Sequence, residues 1–103
     1  MIRHIVTFQF IAQDPEGRAE TVEKLRAALE PLADSIPGVQ SLEVGVDNGS
    51  VAGHWDAVLV SHHDSYEALA AYQVHPDHQA ALPIVGALVS DKSVVDYELE
   101  PGE

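Results

Sequence analysis

The sequence contains no cysteine, which removes at once a disulfide framework, a thiolate zinc site and a thiol nucleophile. A cysteine-free chain suits a reducing compartment, and a cytoplasmic protein is expected. Basic residues are scarce: five Lys and Arg face seventeen Asp and Glu, a formal charge of −12. Such a chain repels a phosphate backbone or an anionic bilayer, so no nucleic acid and no membrane is expected among its partners. Long apolar runs are missing as well. Nowhere do about 18 apolar residues follow one another, as a membrane-crossing helix requires. The opening Met1 to Phe8 is interrupted by polar residues, unlike the continuous apolar core of an export signal.

What is present reads as one acidic α+β domain spanning 1–103, since a chain of this length fits a single hydrophobic core. Ile2 to Ile11 has the β-branched and aromatic enrichment of a strand, with His4, Val6, Phe8 and Phe10 on one face and Ile5 on the other. Asp14-Pro15-Glu16 marks a helix start, Asp14 capping free amides and Pro15 standing where a missing N–H does no harm. Val22, Leu25, Leu29, Leu32 and Ile36 then recur at spacings of three and four, the buried stripe of an amphipathic helix that Pro31 weakens or kinks and Pro37-Gly38 ends. Val39 to Asp47 alternates as a half-buried strand, followed by the turn Asp47-Asn48-Gly49-Ser50 and a loop to about Gly53. Trp55 to His62 is apolar on both faces, as a central strand is. Asp64-Ser65-Tyr66-Glu67 opens a short helix broken near Pro76, a second helical run extends from Asp77 to about Ser90, and Val94 to Leu99 closes the chain as a last strand. Pro101-Gly102-Glu103 is expected to fray.

This order is βαββαβ, the ferredoxin-like plan, in which right-handed crossovers put both helical layers on one side of the sheet. The other side stays bare. Because the first and third strands carry apolar residues facing both ways, a homodimer is expected to bury that face, forming a dimeric α/β barrel. A monomer with a sufficiently polar outer face, through Thr7, Gln9 and Ser61, is the alternative.

The polar feature most open to chemistry is the set of six histidines. The plan brings His4, the turn from Tyr72 to His78, and Asp96 or Glu98 to one end of the helix-covered side. His78 beside a carboxylate would keep a fixed tautomer and a raised pKa. Tyr72 would offer a hydroxyl to an oxyanion, a pair suited to proton transfer at a carbonyl compound. Structural roles stand beside these: His75 before Pro76 as a helix cap, His78 as a satisfied donor, and His4 as a hydrogen-bonded, half-buried side chain. Asp96 interrupts an apolar strand and would need a partner if buried, which favours a His–Asp contact. A metal site from His75, His78 and one of His62 and His63 is a further option, at most one of that adjacent pair facing the site. His54 and Trp55 read as solvent-facing and packing residues.

The opening Ile2-Arg3-His4-Ile5-Val6-Thr7-Phe8-Gln9-Phe10, the Ile36-Pro37-Gly38-Val39 turn, Val44-Gly45-Val46-Asp47, Trp55 to Val60, Ala71-Tyr72-Gln73-Val74-His75-Pro76-Asp77-His78 and Val95-Asp96-Tyr97 together resemble the stress-responsive dimeric A/B barrel family. The resemblance covers nearly the whole chain, with Tyr72 to His78 its most specific part. It implies a ferredoxin-like protomer whose sheet packs on that of a second copy. The family includes stress-induced plant proteins without a settled catalytic role and a plant polyketide cyclase that performs an aldol condensation between sheet and helices. By motif the tyrosine and histidine that act on the substrate of that cyclase fall on Tyr72 and His78, the strand-one histidine that helps them falls on His4, and Asp96 is the matching orienting carboxylate. A further cyclase histidine on the third strand corresponds to about Ala57, so the set is incomplete.

Three functions follow as expectations: a homodimer holding a small, largely apolar ligand; a cyclase-like acid–base enzyme on a carbonyl compound; and a structural or protective protein, which implies a collapsed pocket. No cofactor is expected. Haem is the most remote option, since nothing beyond the histidines marks a porphyrin site.

Overall fold

The computed structural model describes residues 1–100, so the expected fraying of Pro101 to Glu103 lies outside the described residues. The strands are β1 (Ile2–Phe10), β2 (Val39–Val46), β3 (Ala57–His63) and β4 (Val89–Glu98). The helices are α1 (Pro15–Leu29), α2 (Leu32–Ser35), α3 (Tyr66–Val74) and α4 (Pro76–Gly86). The strands form one antiparallel sheet in the order β2-β3-β1-β4, the ferredoxin-like α+β arrangement.

Local chemistry sets most element ends. The Asp14 side chain accepts from the Gly17 N–H at 3.0 Å and Pro15 takes the first helical position, which satisfies amides that α1 cannot pair internally. Pro31, which has no N–H to donate, separates α1 from α2, so the stripe read as one kinked helix is two. Gly38 then turns the chain into β2 with φ +88°, and a Cβ there would stand 3.0 Å from the Ala68 side chain. Glycine meets both demands at that position. Ser65 caps α3 through the Ala68 N–H at 3.1 Å.

The core lies between the sheet and the helices. Val6, Phe8, Phe10, Val44, Ala57 and Leu59 meet Leu25, Leu29, Leu32, Leu69, Ala81 and Val85, all buried. Each large side chain buried in this way contributes about 1.5 to 3 kcal/mol. At the far end of β1, Asp56 is buried beneath the loop that precedes β3. Its carboxylate accepts from the Phe10 N–H at 2.7 Å and pairs with the Arg18 guanidinium, tying β1, α1 and the start of β3 together.

Three boundaries differ from the sequence reading by two residues or more. β3 starts at Ala57 rather than Trp55. At the C-terminal end α4 stops at Gly86, and β4 starts at Val89, not Val94. Apart from a partly covered Val89, β4 is exposed along its length. It has a partner on one edge only and almost no helix over it, so its first half shows none of the apolar alternation by which a half-buried strand is recognised.

The bare face of the sheet is a band of apolar residues between two polar rows. Ile5 lies opposite Val60 on one neighbour and Val95 on the other, and Thr7 lies opposite Val58. On one side of this band Thr7 and Ser93 share a hydrogen bond. On the other, a chain of contacts crosses all four strands: Ser41 to His62 at 2.7 Å, Arg3 to His62 at 3.1 Å and Arg3 to Tyr97 at 2.6 Å.

Candidate functional site

The alternation of β1 puts His4 on the helix side, in phase with Val6 and Phe8, where it is buried. The alternation of β3 does the same for Ser61 and His63, both fully buried. Tyr72, in the last turns of α3, drops onto these rings, and His78, in the first turns of α4, covers it. Ring centroids are 5.9 Å apart for His4 and His63, 4.8 Å for His63 and Tyr72, and 4.5 Å for Tyr72 and His78. Four elements thus deliver three imidazoles and a phenol to one end of the core.

The fifth member comes from β4. Asp96 stands directly opposite His4 in the β1–β4 register, and its Oδ1 is hydrogen-bonded to His4 Nδ1. The carboxylate expected beside His78 therefore serves His4. His78 Nδ1 instead donates to the Gln73 carbonyl oxygen at 3.0 Å. Its pKa is lowered, not raised as the sequence reading had it, because burial disfavours the charged ring and no carboxylate compensates. Cross-strand register decides this: a residue directly opposite on the same sheet face outcompetes one that must reach across from a helix.

The four residues singled out from the sequence, His4, Tyr72, His78 and Asp96, all lie at this end. The one the sequence reading missed is His63, which figured there only as half of an adjacent pair offered as a metal ligand. The phase of Ala57, Leu59 and Ser61 would have placed it on the helix side. It supplies a third-strand histidine after all, at the opposite end of β3 from Ala57, which is a core residue. His62 faces the bare side, His75 caps α4 by accepting from the Asp77 N–H at 3.0 Å, and the exposed His54 pairs with Asp47 at 3.1 Å. Among the described residues no group of three or more His, Asp or Glu could hold a metal ion.

Beside the cluster is a hollow of about 140 Å³, its wall formed by Val6, Phe8, Leu29, Leu59, Val85 and Val94, with His4, His78 and Lys92 among its polar members. Tyr72 and His63 lie behind this wall, sealed from solvent. Among the described residues the Tyr72 hydroxyl and His63 Nδ1 have no hydrogen-bond partner, while His63 Nε2 is bonded to Ser61 Oγ at 2.8 Å. An unpaired buried polar atom costs about 1 to 3 kcal/mol, and two side by side mark a region not optimised for stability alone.

Burial pushes the Tyr72 hydroxyl up to about 12, so it is a proton donor, never an anion, near neutrality. Burial, and secondly the charge of His4, pulls His63 down to about 4. The folded state therefore holds His63 neutral while the unfolded chain takes up a proton near pH 6.5. The stability this confers is complete above that value and is lost as the pH falls towards 4, a change of up to roughly 3 kcal/mol. Urea unfolding at a series of pH values should show that loss in the native chain and a shallower one in His63→Phe. Parallel curves for the two proteins would show that His63 contributes nothing to it.

The model of the family described as the stress responsive A/B barrel domain matches residues 2–99. A dimeric ferredoxin-like protein of unknown function from Thermobifida fusca is 35% identical, with a TM-score of 0.79 over 95% of this chain and 90% of that one. A dimeric protein of unknown function from Bacteroides fragilis is 27% identical, with a TM-score of 0.83 over 95% of both chains. The hydroxynitrile lyase of Passiflora edulis shares the fold at 16% identity, with a TM-score of 0.80 over 99% of this chain and 95% of that one. No curated protein matches the chain. No helix among the described residues is long and apolar enough to cross a membrane. With the family model covering nearly every residue and the fold agreeing with it, the chain belongs to the stress-responsive A/B barrel domain family.

Proposed function

We propose that the chain, as one domain over 1–103, works in the cytoplasm as a homodimer whose two sheets meet through their bare faces, and that each protomer holds a small, largely apolar molecule in the hollow beside His4. The hollow carries this reading. At about 140 Å³ it matches the roughly 150 Å³ apolar cavity that accepts benzene in an engineered lysozyme. Its wall is aliphatic and aromatic, with a few polar groups at one end, the usual make-up of a small-molecule site. His4, held from behind by Asp96, forms that polar end with Gln73, His78 and Lys92, and Tyr72 supports the imidazole rings. A structural or protective role implies a collapsed space there, so the open hollow favours a ligand.

Support for the dimer comes from the relatives described as dimeric and from the apolar band on the bare face, where Ile5, Val58 and Val60 are only half-buried and Val95 is exposed. The absence of cysteine suits a reducing compartment, and no cofactor enters the reading. An acid–base enzyme acting on a small carbonyl compound is the second reading, favoured by the carboxylate-braced imidazole in the wall of the hollow.

Titration with acetophenone, a benzene ring carrying a ketone, tests the ligand site. Methyl NMR signals of Val6, Leu29, Leu59, Val85 and Val94 should shift together and saturate, and Leu82→Trp, placed at the rim, should abolish the response. Shifts scattered over the surface that leave the methyls of these five residues unmoved would reject the hollow as a binding site.

A further inference from the structure

We propose that the association of the two sheets is gated by pH through His62, the dimer holding while this ring is neutral and parting when the ring takes up a proton beside Arg3. The gate presupposes the dimer through the bare faces and adds its regulation.

His62 sits within the polar row that crosses the bare face. Its Nε2 meets the Nε–H of Arg3 at 3.1 Å, and its Nδ1 meets Ser41 Oγ at 2.7 Å. A guanidinium can only donate, so the nitrogen that faces Arg3 keeps its lone pair. The one proton of the neutral ring then resides on Nδ1 and is donated to Ser41. A second proton has a single place to go, the nitrogen against Arg3. There it removes the hydrogen bond and sets two cations face to face. Arg3 is tethered on its other side, where its Nη1–H donates to the Tyr97 hydroxyl at 2.6 Å and its guanidinium carbon lies 5.5 Å from the centre of the Tyr97 ring.

The groups able to answer a charge on His62 come from the strands. Glu43 on β2 stands opposite Val60, two residues along from Ser41. Asp64, just past the end of β3, already accepts from the Gln40 side-chain amide. The Met1 amine lies two residues before Arg3 and adds another cation. Among the described residues no carboxylate is within ion-pair distance of His62 or Arg3. In the free protomer the half-buried ring still reaches water, which screens an imidazolium from Arg3. Beneath a partner sheet that route is closed, and an uncompensated ion disfavours the complex.

Area places this row inside the interface. Two residues along a strand advance about 6.8 Å and four strands span about 19 Å. The two rows of the apolar band, those of Ile5 and Thr7, therefore offer only about 260 Å² of sheet. A stable interface takes about 800 Å² from each partner, so a second copy seated on the band also covers the adjoining row of Arg3 and His62.

Proton uptake favours the separated protomers, and the dissociation constant should rise as the pH falls from about 8 to about 5.5, the range in which imidazole gains its charge. A two-fold dimer carries two such rings, so a tenfold effect at each amounts to about 100-fold for the pair. Sedimentation of the native protein should show a rise of about 30-fold or more over this range. His62→Gln, whose amide still accepts from Arg3 and donates to Ser41 but takes up no proton, should change by less than about threefold. Both proteins keep His63, so a pH dependence common to the two belongs to other groups and overturns the gate.

Should His62→Gln fail to fold, Arg3→Gln decides. Its amide can donate to the neutral ring or accept from the protonated one, so the pH dependence should flatten although the imidazole remains. An Arg3→Gln protein with the full native dependence overturns the proposal. A native dimer with the same dissociation constant at both ends of the range overturns the gate and leaves the dimer standing. A chain that sediments as a single protomer at about pH 8 defeats the dimer itself, and the gate with it.

Discussion

Asp56→Ala should destabilise the protein by about 3 to 5 kcal/mol, the usual consequence of removing one member of a buried ion pair. The carboxylate is almost fully covered and accepts from three donors: the Arg18 guanidinium, the Phe10 N–H and, at 3.4 Å, the Gln13 side-chain amide. Its loss leaves a half-buried cation and a buried amide without partners at the point where β1, α1 and β3 converge. A domain of this size has only about 5 to 15 kcal/mol in total, so the substitution removes a large share of its stability. Asp56→Asn separates the contributions, since an amide oxygen still accepts from Phe10 while the charge on Arg18 goes unanswered. Urea midpoints measured for the three proteins should fall in the order native, Asn, Ala. A Tm for Asp56→Ala within experimental error of the native value would show that the pair is no more than a solvated surface contact.

Val60→Glu should turn the proposed dimer into a monomer. Val60 lies in the middle of the bare face beside Ile5, and in a two-fold interface a substitution enters twice, near its own symmetry mate. Each carboxylate would lose its hydration against Ile5, Val58 and Val95, at several kcal/mol per uncompensated ion. Since about 1.4 kcal/mol is tenfold in an equilibrium constant, the dissociation constant should rise at least about 1,000-fold. Sedimentation at micromolar concentration should show half the native mass, with the circular dichroism of the fold retained. Thr7→Glu, on the polar row, should weaken the association less. A Val60→Glu protein that still sediments as a dimer would place the interface elsewhere.

Most of the architecture was legible from period and punctuation. Strands β1, β2 and β3 alternate because each has one face in the core, and Asp14, Pro15, Gly38 and Ser65 mark ends where backbone groups require them. β4 was read five residues short, because Ser90 to Ser93 face solvent and follow no burial rhythm. At the site, topology was enough to bring His4, Tyr72, His78 and Asp96 to one end of the core. It could not say which imidazole Asp96 would brace. That depends on the β1–β4 register, which shifts by one residue between Gln9 and Phe10, an irregularity with no mark in the residue pattern. His63 was within reach of the strand phase, but its adjacency to His62 drew attention to a metal reading that opposite-facing neighbours cannot satisfy together.

The location of Asp96 has its own consequence. The group that orients His4 rides on an edge strand, the least covered of the sheet, the kind of element that opens at the lowest free-energy cost. Were the C-terminal part of β4 to detach from β1, the imidazole would lose its brace while the rest of the fold stayed paired. Anything that clamps this margin, a second protomer above all, therefore raises the fraction of time for which the site is fully assembled.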